Sequence, residues 1–308
     1  MIQTAEWYCI HDRSSCKEVV MDKTKCEAFL SVVDTGSFTK AGVRLGYTQS
    51  GITREIKSLE KDLGFRLFVR SSKGVVLTPD GEAMVPLVRD IVNAFQKAEQ
   101  EGADIRGTLK GTLTIGSYFS ISAMWMPQIL SRFRTQYPGV RILLQEGGNA
   151  EMGRLLKERS VDCCFGARPA DKDLDWIPLY EDELVVWLPK NHPMAGAPAY
   201  PVRLLESENF ISTDPDDDTD QNRLVERCHL HLHTTLTTRD GFATWNMVAA
   251  GLGVSLNQRL ISRDWQGSVS QVPFDPVQKI ELGISLPSLH EASPATLRLI
   301  EVARQAIR

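Results

Sequence analysis

From Lys23 onward the apolar positions Cys26, Phe29, Leu30 and Val33 recur at i, i+3, i+4 and i+7, which is the spacing of a helix with one buried stripe. Gly36 stops that helix, and Ser37 is placed to cap a second one whose Phe38, Ala41 and Leu45 share a face. Gly46 ends the second helix. Thr48 caps a third, with Ile52, Ile56, Leu59 and Leu63 inward and Gln49, Ser50, Thr53, Arg54 and Lys57 on the other side, until Gly64. "FRLFVRSSKGVVLTP" predicts two short strands around a polar turn at 71–74, a small wing. Thr78 then caps a long helix begun by Pro79, with a stripe of Met84, Leu87, Val88, Ile91, Phe95 and Ala98. One-sided over about 25 residues, such a helix is expected to pair with a second copy of itself.

Beyond Gly107 and Gly111 the grammar changes to strands alternating with helices: "TLTIGS", a helix to Tyr137, "VRILLQEG", a helix to Arg159, and "VDCCFGA". That order predicts α/β structure with a parallel sheet. "ELVVWLP" leads out to "NFIST", "TTLTT" and a helix around "ATWNMVAAGLG", and "KIELGISL" brings the chain back to a last helix. A segment that leaves and returns in this way implies two α/β lobes joined by two crossing strands, a hinge suited to closing on a small ligand. Residues 1–20 show no periodicity and precede a second methionine, Met21; they are read as an extension outside the folded part, a non-native start included.

Charge changes the picture only when divided by segment. The net charge of −4 over 308 residues is unremarkable for a soluble chain. Yet residues 23–80 carry ten bases against six acids, a local +4, while the first 22 residues and the part after Asp80 are acidic. A polyanion responds to that local excess, not to the total. No apolar run approaches the roughly 18 residues needed to cross a bilayer, and Asp12, Arg13, Lys17 and Glu18 interrupt any secretory core, so a cytoplasmic location without membrane attachment is expected. Six thinly spread cysteines predict reduced thiols, with no disulfide framework.

A short helix, a sharp turn and a helix with short polar side chains at its front make a helix-turn-helix, whose second helix enters the major groove of duplex DNA. Gln49 and Arg54 have donors able to read base edges, Ser50 and Thr53 are short enough for close approach, and Lys73 on the wing can neutralise a phosphate. A solvated polar helix face would give the same pattern. The basic balance, the wing and the long helix that follow in order favour DNA.

The stretch "AFLSVVDTGSFTKAGVRLGYTQSGITREIKSLEKDLGFRLFVRSSKGVVLTPDGE", Ala28 to Glu82, resembles the N-terminal signature of LysR-type transcriptional regulators. The likeness continues more weakly through "YPGVRILLQEGG", "VDCCFG", "ELVVWLPKNHP" and "VAAGLGVSL". It implies a winged helix-turn-helix over 23–78 after an extension over 1–22, and a dimerising linker helix over 79–108. A two-lobed effector domain like the periplasmic binding proteins follows over 109–308, lobe I being about 109–186 and 280–308 and lobe II about 187–279. The resemblance carries the family's DNA contacts onto Gln49, Ser50, Thr53, Arg54 and Lys73, and an effector pocket onto Ser117, Tyr118, Ser120, Asn149, Thr213, Phe242 and Thr244. It implies a homodimer or a tetramer of two dimers, an inverted-repeat operator, a small-molecule effector and no enzymatic activity or cofactor. Gly42, Gly51 and Thr53 depart from the usual alanine, alanine and serine, each interior glycine at a cost of about 0.5 to 1 kcal/mol relative to alanine.

Helix N-termini lining the cleft favour a small organic acid as effector. The acids Asp214, Asp216, Asp217, Asp218 and Asp220 complicate an anion and are read as a solvated loop. In "CHLHLH" the alternation would put His229, His231 and His233 on one face of a strand, a set too open to predict a metal. Cys163 and Cys164 on a strand fit a reduced core better than a redox sensor. The competing function is a solute-binding or enzymatic α/β protein with an N-terminal interaction module, although no phosphate loop, nucleophile elbow or metalloprotease helix is present.

Overall fold

The computed structural model describes residues 21–71, 74–213 and 218–307; Lys73, Asp214, Asp216, Asp217 and the extension to residue 20 lie outside them. The chain divides into two compact units, one up to Phe95 and the other from Gln96.

In the first unit α1 (Lys23–Thr35), α2 (Phe38–Leu45) and α3 (Gln49–Leu63) start and stop on the predicted residues. Ser37 and Thr48 accept hydrogen bonds from the amides of Lys40 and Gly51, and Gly36, Gly46 and Gly64 end the helices in left-handed conformation. Phe29, Ala41, Ile52, Ile56, Leu59 and Leu67 close a common core. The wing is an antiparallel pair, β1 (Phe68–Ser71) and β2 (Gly74–Leu77). Glu60 anchors it from α3: its buried Oε1 accepts the amides of Leu67 at 2.8 Å and Phe68 at 3.3 Å.

α4 (Pro79–Ile105) carries the expected apolar stripe, but only part of it is covered. Met84, Val88 and Ile91 pack into the core of the first unit with Val92, whereas Leu87 and Phe95 are 56% and 42% exposed and Ala98 is exposed as well. The spacing could not separate them, because a stripe around a 3.6-residue helix is wide enough to serve two surfaces.

In the second unit β3 (Gly111–Ser117), α5 (Phe119–Met124), α6 (Met126–Gln136), β4 (Val140–Glu146), α7 (Asn149–Lys157) and β5 (Cys163–Ala167) alternate, with β3 parallel to both β4 and β5. β6 (Asp175–Pro189) follows, then the short β7 (Tyr200–Pro201), β8 (Asn209–Thr213), α8 (Asp220–Arg227), β9 (His233–Thr238), α9 (Gly241–Ala249) and β10 (Ser255–Gln258). β11 (Val269–Leu286) and α10 (Pro294–Ala306) complete the chain. β6 and β11 are the two crossing strands. Antiparallel to each other, they pair Trp176 with Ser285 at one end and Leu188 with Ser270 at the other, with register shifts between Pro273 and Gln278 and between Leu282 and Gly283.

Lobe I gathers Leu113, Ile115, Phe133, Phe165, Ile284 and Leu299 into one core. Lobe II has two cores on opposite faces of its strands, one with Leu188, Tyr200, Leu224 and Phe274 and one with Trp187, Ile211, Trp245 and Val248. The histidine expectation fails: His229 lies in the turn after α8 at positive φ, His231 in the irregular stretch before β9, and of the three His233 alone is on the strand. Among the described residues no helix is long and apolar enough to cross a membrane.

Asp162, just before β5, accepts the Thr114 amide at 2.7 Å. Burial raises its carboxyl pKa from 3.8 to about 6 against the opposing pull of that hydrogen bond. A carboxyl raised in the native state stabilises the fold when protonated, and that contribution is lost as pH rises from 4 through 6. We expect Asp162→Asn, which keeps the accepting oxygen, to be about 1 to 2 kcal/mol more stable than the parent above pH 7, a figure reduced because the side chain is only half-buried by area. The advantage should vanish below pH 4 in thermal melts.

Candidate DNA-binding face and effector crevice

The caps of α3 set the orientation of its front. With Ile52, Ile56 and Leu59 buried, the opposite side carries Gln49, Ser50, Arg54 and Lys57 exposed and Thr53 half-exposed. Gln49 Nε2 donates to Thr53 Oγ1 at 2.9 Å, and Thr53 Oγ1 donates back to the Gln49 carbonyl at 2.9 Å. Ser50 Oγ lies 3.0 Å from the capping Thr48 Oγ1. Arg54 is 80% exposed and meets Glu55 at 3.2 Å, a surface pair weak enough to exchange for a phosphate or a base. Four of the five predicted contacts therefore share one face. Tyr47 and Val43, 46% and 81% exposed, stand out beside it and were not anticipated, as apolar residues near a turn resemble core in a sequence.

The predicted effector residues fall into two groups and a single residue, Phe242. Ser117 ends β3, and Tyr118, Ser120 and Asn149 follow the C-terminal ends of β3 and β4, where an open α/β sheet offers its crevice. Ser117 is fully buried and its hydroxyl donates to the Tyr118 carbonyl at 3.1 Å. The Tyr118 ring lies against Gly166 so closely that an added Cβ there would come within 2.7 Å of Cε1. Its hydroxyl is buried with no hydrogen-bond partner among the described residues, the nearby Ala167 amide standing outside bonding geometry. Burial, then the neighbouring Asp220, push the Tyr118 hydroxyl pKa well up. Asn149 Nδ2 is likewise without a partner in bonding geometry, although its side chain stands beside Asp220.

Asp220 corrects the reading of the acid run. It is the first residue of α8 and is 7% exposed, not solvated. Its Oδ2 accepts Gln258 Nε2 at 2.9 Å, and Gln258 Oε1 accepts the Ser120 hydroxyl at 2.8 Å, so a buried chain runs from lobe I past the hinge end of β10 to α8. Desolvation raises the Asp220 pKa. Asp218 binds Arg223 through two bonds of 2.6 and 2.7 Å, which holds that guanidinium more firmly charged. Gln258, Asp220 and Arg223 were not among the candidate residues read from the sequence. The polar pair Asn257–Gln258 closing the strand that follows "VAAGLGV" and the Thr219 cap before Asp220 were the available signals.

Thr213 and Thr244 form the second group, their hydroxyls 2.7 Å apart. Phe242, two residues before Thr244 on α9, is 55% exposed and packs edge-on against Trp265 at 5.2 Å.

Cys163 and Cys164 are buried and free, with Cys26. Burial pushes the Cys164 thiol up to about 12 and raises those of Cys163 and Cys26, which suppresses thiolate. A soluble alkylating agent should therefore modify Cys228, which is half-exposed, well before these three in the native protein; peptide mass spectrometry reads the order.

Residues 24–82 match the model of the bacterial regulatory helix-turn-helix protein, lysR family, and residues 106–308 match that of the LysR substrate binding domain. The chain is 28% identical over 295 residues to the uncharacterized HTH-type transcriptional regulator YvbU of Bacillus subtilis, covering 92% of this chain and 98% of that one. It is also 28% identical to the HTH-type transcriptional activator CmpR of Synechocystis, over 75% of this chain and 76% of the other. Among solved structures, a full-length OxyR variant from Pseudomonas aeruginosa is similar in fold, with a TM-score of 0.76 at 23% identity over 94% of this chain and 96% of that one. Full-length CbnR complexed with its target DNA gives 0.61 at 18% identity over 93% and 100%.

Proposed function

The chain belongs to the LysR family of bacterial DNA-binding transcriptional regulators, with an N-terminal helix-turn-helix and a C-terminal effector-binding domain, and on that premise we propose how its residues divide the work. Gln49, Ser50, Thr53 and Arg54 read base edges in the major groove, with Lys73 of the wing on a phosphate. The observation that carries this reading is the single polar face of α3, held outward by its buried stripe. Two copies joined through the exposed Leu87, Phe95 and Ala98 of α4 would present two such helices to successive major grooves, about 34 Å apart on an inverted repeat. A homodimer, or a tetramer of two dimers, is the assembly proposed. The division into 23–78, 79–108 and 109–308 follows from the same reading.

The effector is taken between the lobes, where Tyr118 and Asn149 hold donors outside bonding geometry to any described residue and Asp220 and Arg223 supply opposite charges. A small organic acid suits this crevice at its Arg223 end, taking the guanidinium from Asp218, whereas a ligand group facing Asp220 must be a donor. Binding would remake the Ser120–Gln258–Asp220 chain and so the angle between the lobes. The test is a mobility-shift assay with the DNA upstream of the gene, at matched salt, together with light scattering. A protein that stays monomeric and retards no duplex at low salt would refute the reading.

A further inference from the structure

We propose that lobe II carries a second small-molecule site, beneath α8, which takes an uncharged polar ligand smaller than a typical drug. A cavity of about 260 Å³ lies there, and every residue lining it belongs to lobe II, between 210 and 256. Phe210, Val225 and Leu256 give it an apolar wall, and Ser212, Gln221 and Thr234 a polar one, while Thr213, at its edge, is the one lining residue it shares with the expected effector pocket. Its volume falls just below the roughly 300 Å³ at which drug-sized pockets begin. None of its lining side chains is charged. An ion would therefore lose its hydration without gaining a counter-charge, whereas a neutral molecule with one apolar face and an amide or hydroxyl meets both walls.

The site is tied to the inter-lobe contact by hydrogen bonds. Gln221 Nε2, in the cavity wall, donates to Asn257 Oδ1 at 2.7 Å, and the same oxygen accepts the Gln258 amide at 2.9 Å. Gln258 in turn holds Ser120 of lobe I and Asp220 of α8. A ligand that takes the Gln221 amide alters the lobe contact without entering the crevice. The site's existence does not depend on an effector between the lobes.

Benzamide and cyclohexanol serve as neutral probes and benzoate as the charged counterpart, each titrated by calorimetry into the full-length protein. Binding of at least one neutral probe is expected, at least tenfold tighter than benzoate, weakened tenfold or more in Val225→Phe and retained in Tyr118→Phe. Should Val225→Phe fail to fold by circular dichroism, Thr234→Phe narrows the cavity from the exposed strand β9 and should show the same loss. The proposal is overturned if neither neutral probe binds, if benzoate binds equally well, or if Tyr118→Phe abolishes binding while the cavity-filling variant keeps it.

Discussion

Glu60→Ala lowers the stability of the N-terminal unit by about 3 kcal/mol. The carboxylate is 8% exposed and accepts two backbone amides at the start of the wing, with Arg66 at 3.4 Å on its other oxygen. Removing it deletes two charge-assisted bonds and leaves the buried Leu67 and Phe68 amides without acceptors. Glu60→Gln keeps one acceptor and should lose less than half as much. Urea denaturation followed by circular dichroism checks both; equal stability of Glu60→Ala and the parent would show that the wing is held by its apolar packing alone.

Arg54→Ala weakens binding to the specific operator by about 1 to 3 kcal/mol, roughly five- to 150-fold, while binding to unrelated duplex falls far less. The side chain is 80% exposed and, among the described residues, tethered to Glu55, so its removal costs the fold little and the readout is affinity. The salt dependence separates two roles. A base contact leaves the slope of log K against log salt nearly unchanged, whereas a phosphate contact lowers its magnitude by about one. Unaltered operator affinity at matched salt would remove Arg54 from the reading face.

The N-terminal unit was legible almost residue by residue, because its signals are local: a cap, a stripe and a glycine define each helix, as at Ser37, Phe38 and Gly46. The two crossing strands were likewise visible, since a chain that leaves and returns must do so along paired strands. What could not be read was anything set by distant packing. Asp220 sits in an acid-rich stretch whose composition reads as solvated, yet the cap at Thr219 turns it beneath Gln258, thirty-eight positions away. Leu87 and Val88 are neighbours of similar hydropathy, and only the three-dimensional core decides that one is exposed and the other buried. The histidines misled because alternation was taken for a strand where a positive φ at His229 breaks it.

The routing of β6 and β11 has a bearing on biosynthesis. Lobe I begins at β3 but closes its core only with Leu282, Ile284 and Leu299, near the end of the chain, and all of lobe II is inserted between. As translation proceeds from the N-terminus, the helix-turn-helix unit can fold while lobe I still lacks its central antiparallel strand and last helix. A message truncated within lobe II would therefore release a chain able to occupy DNA but carrying an open apolar sheet, a species the cell must either degrade or lose to aggregation.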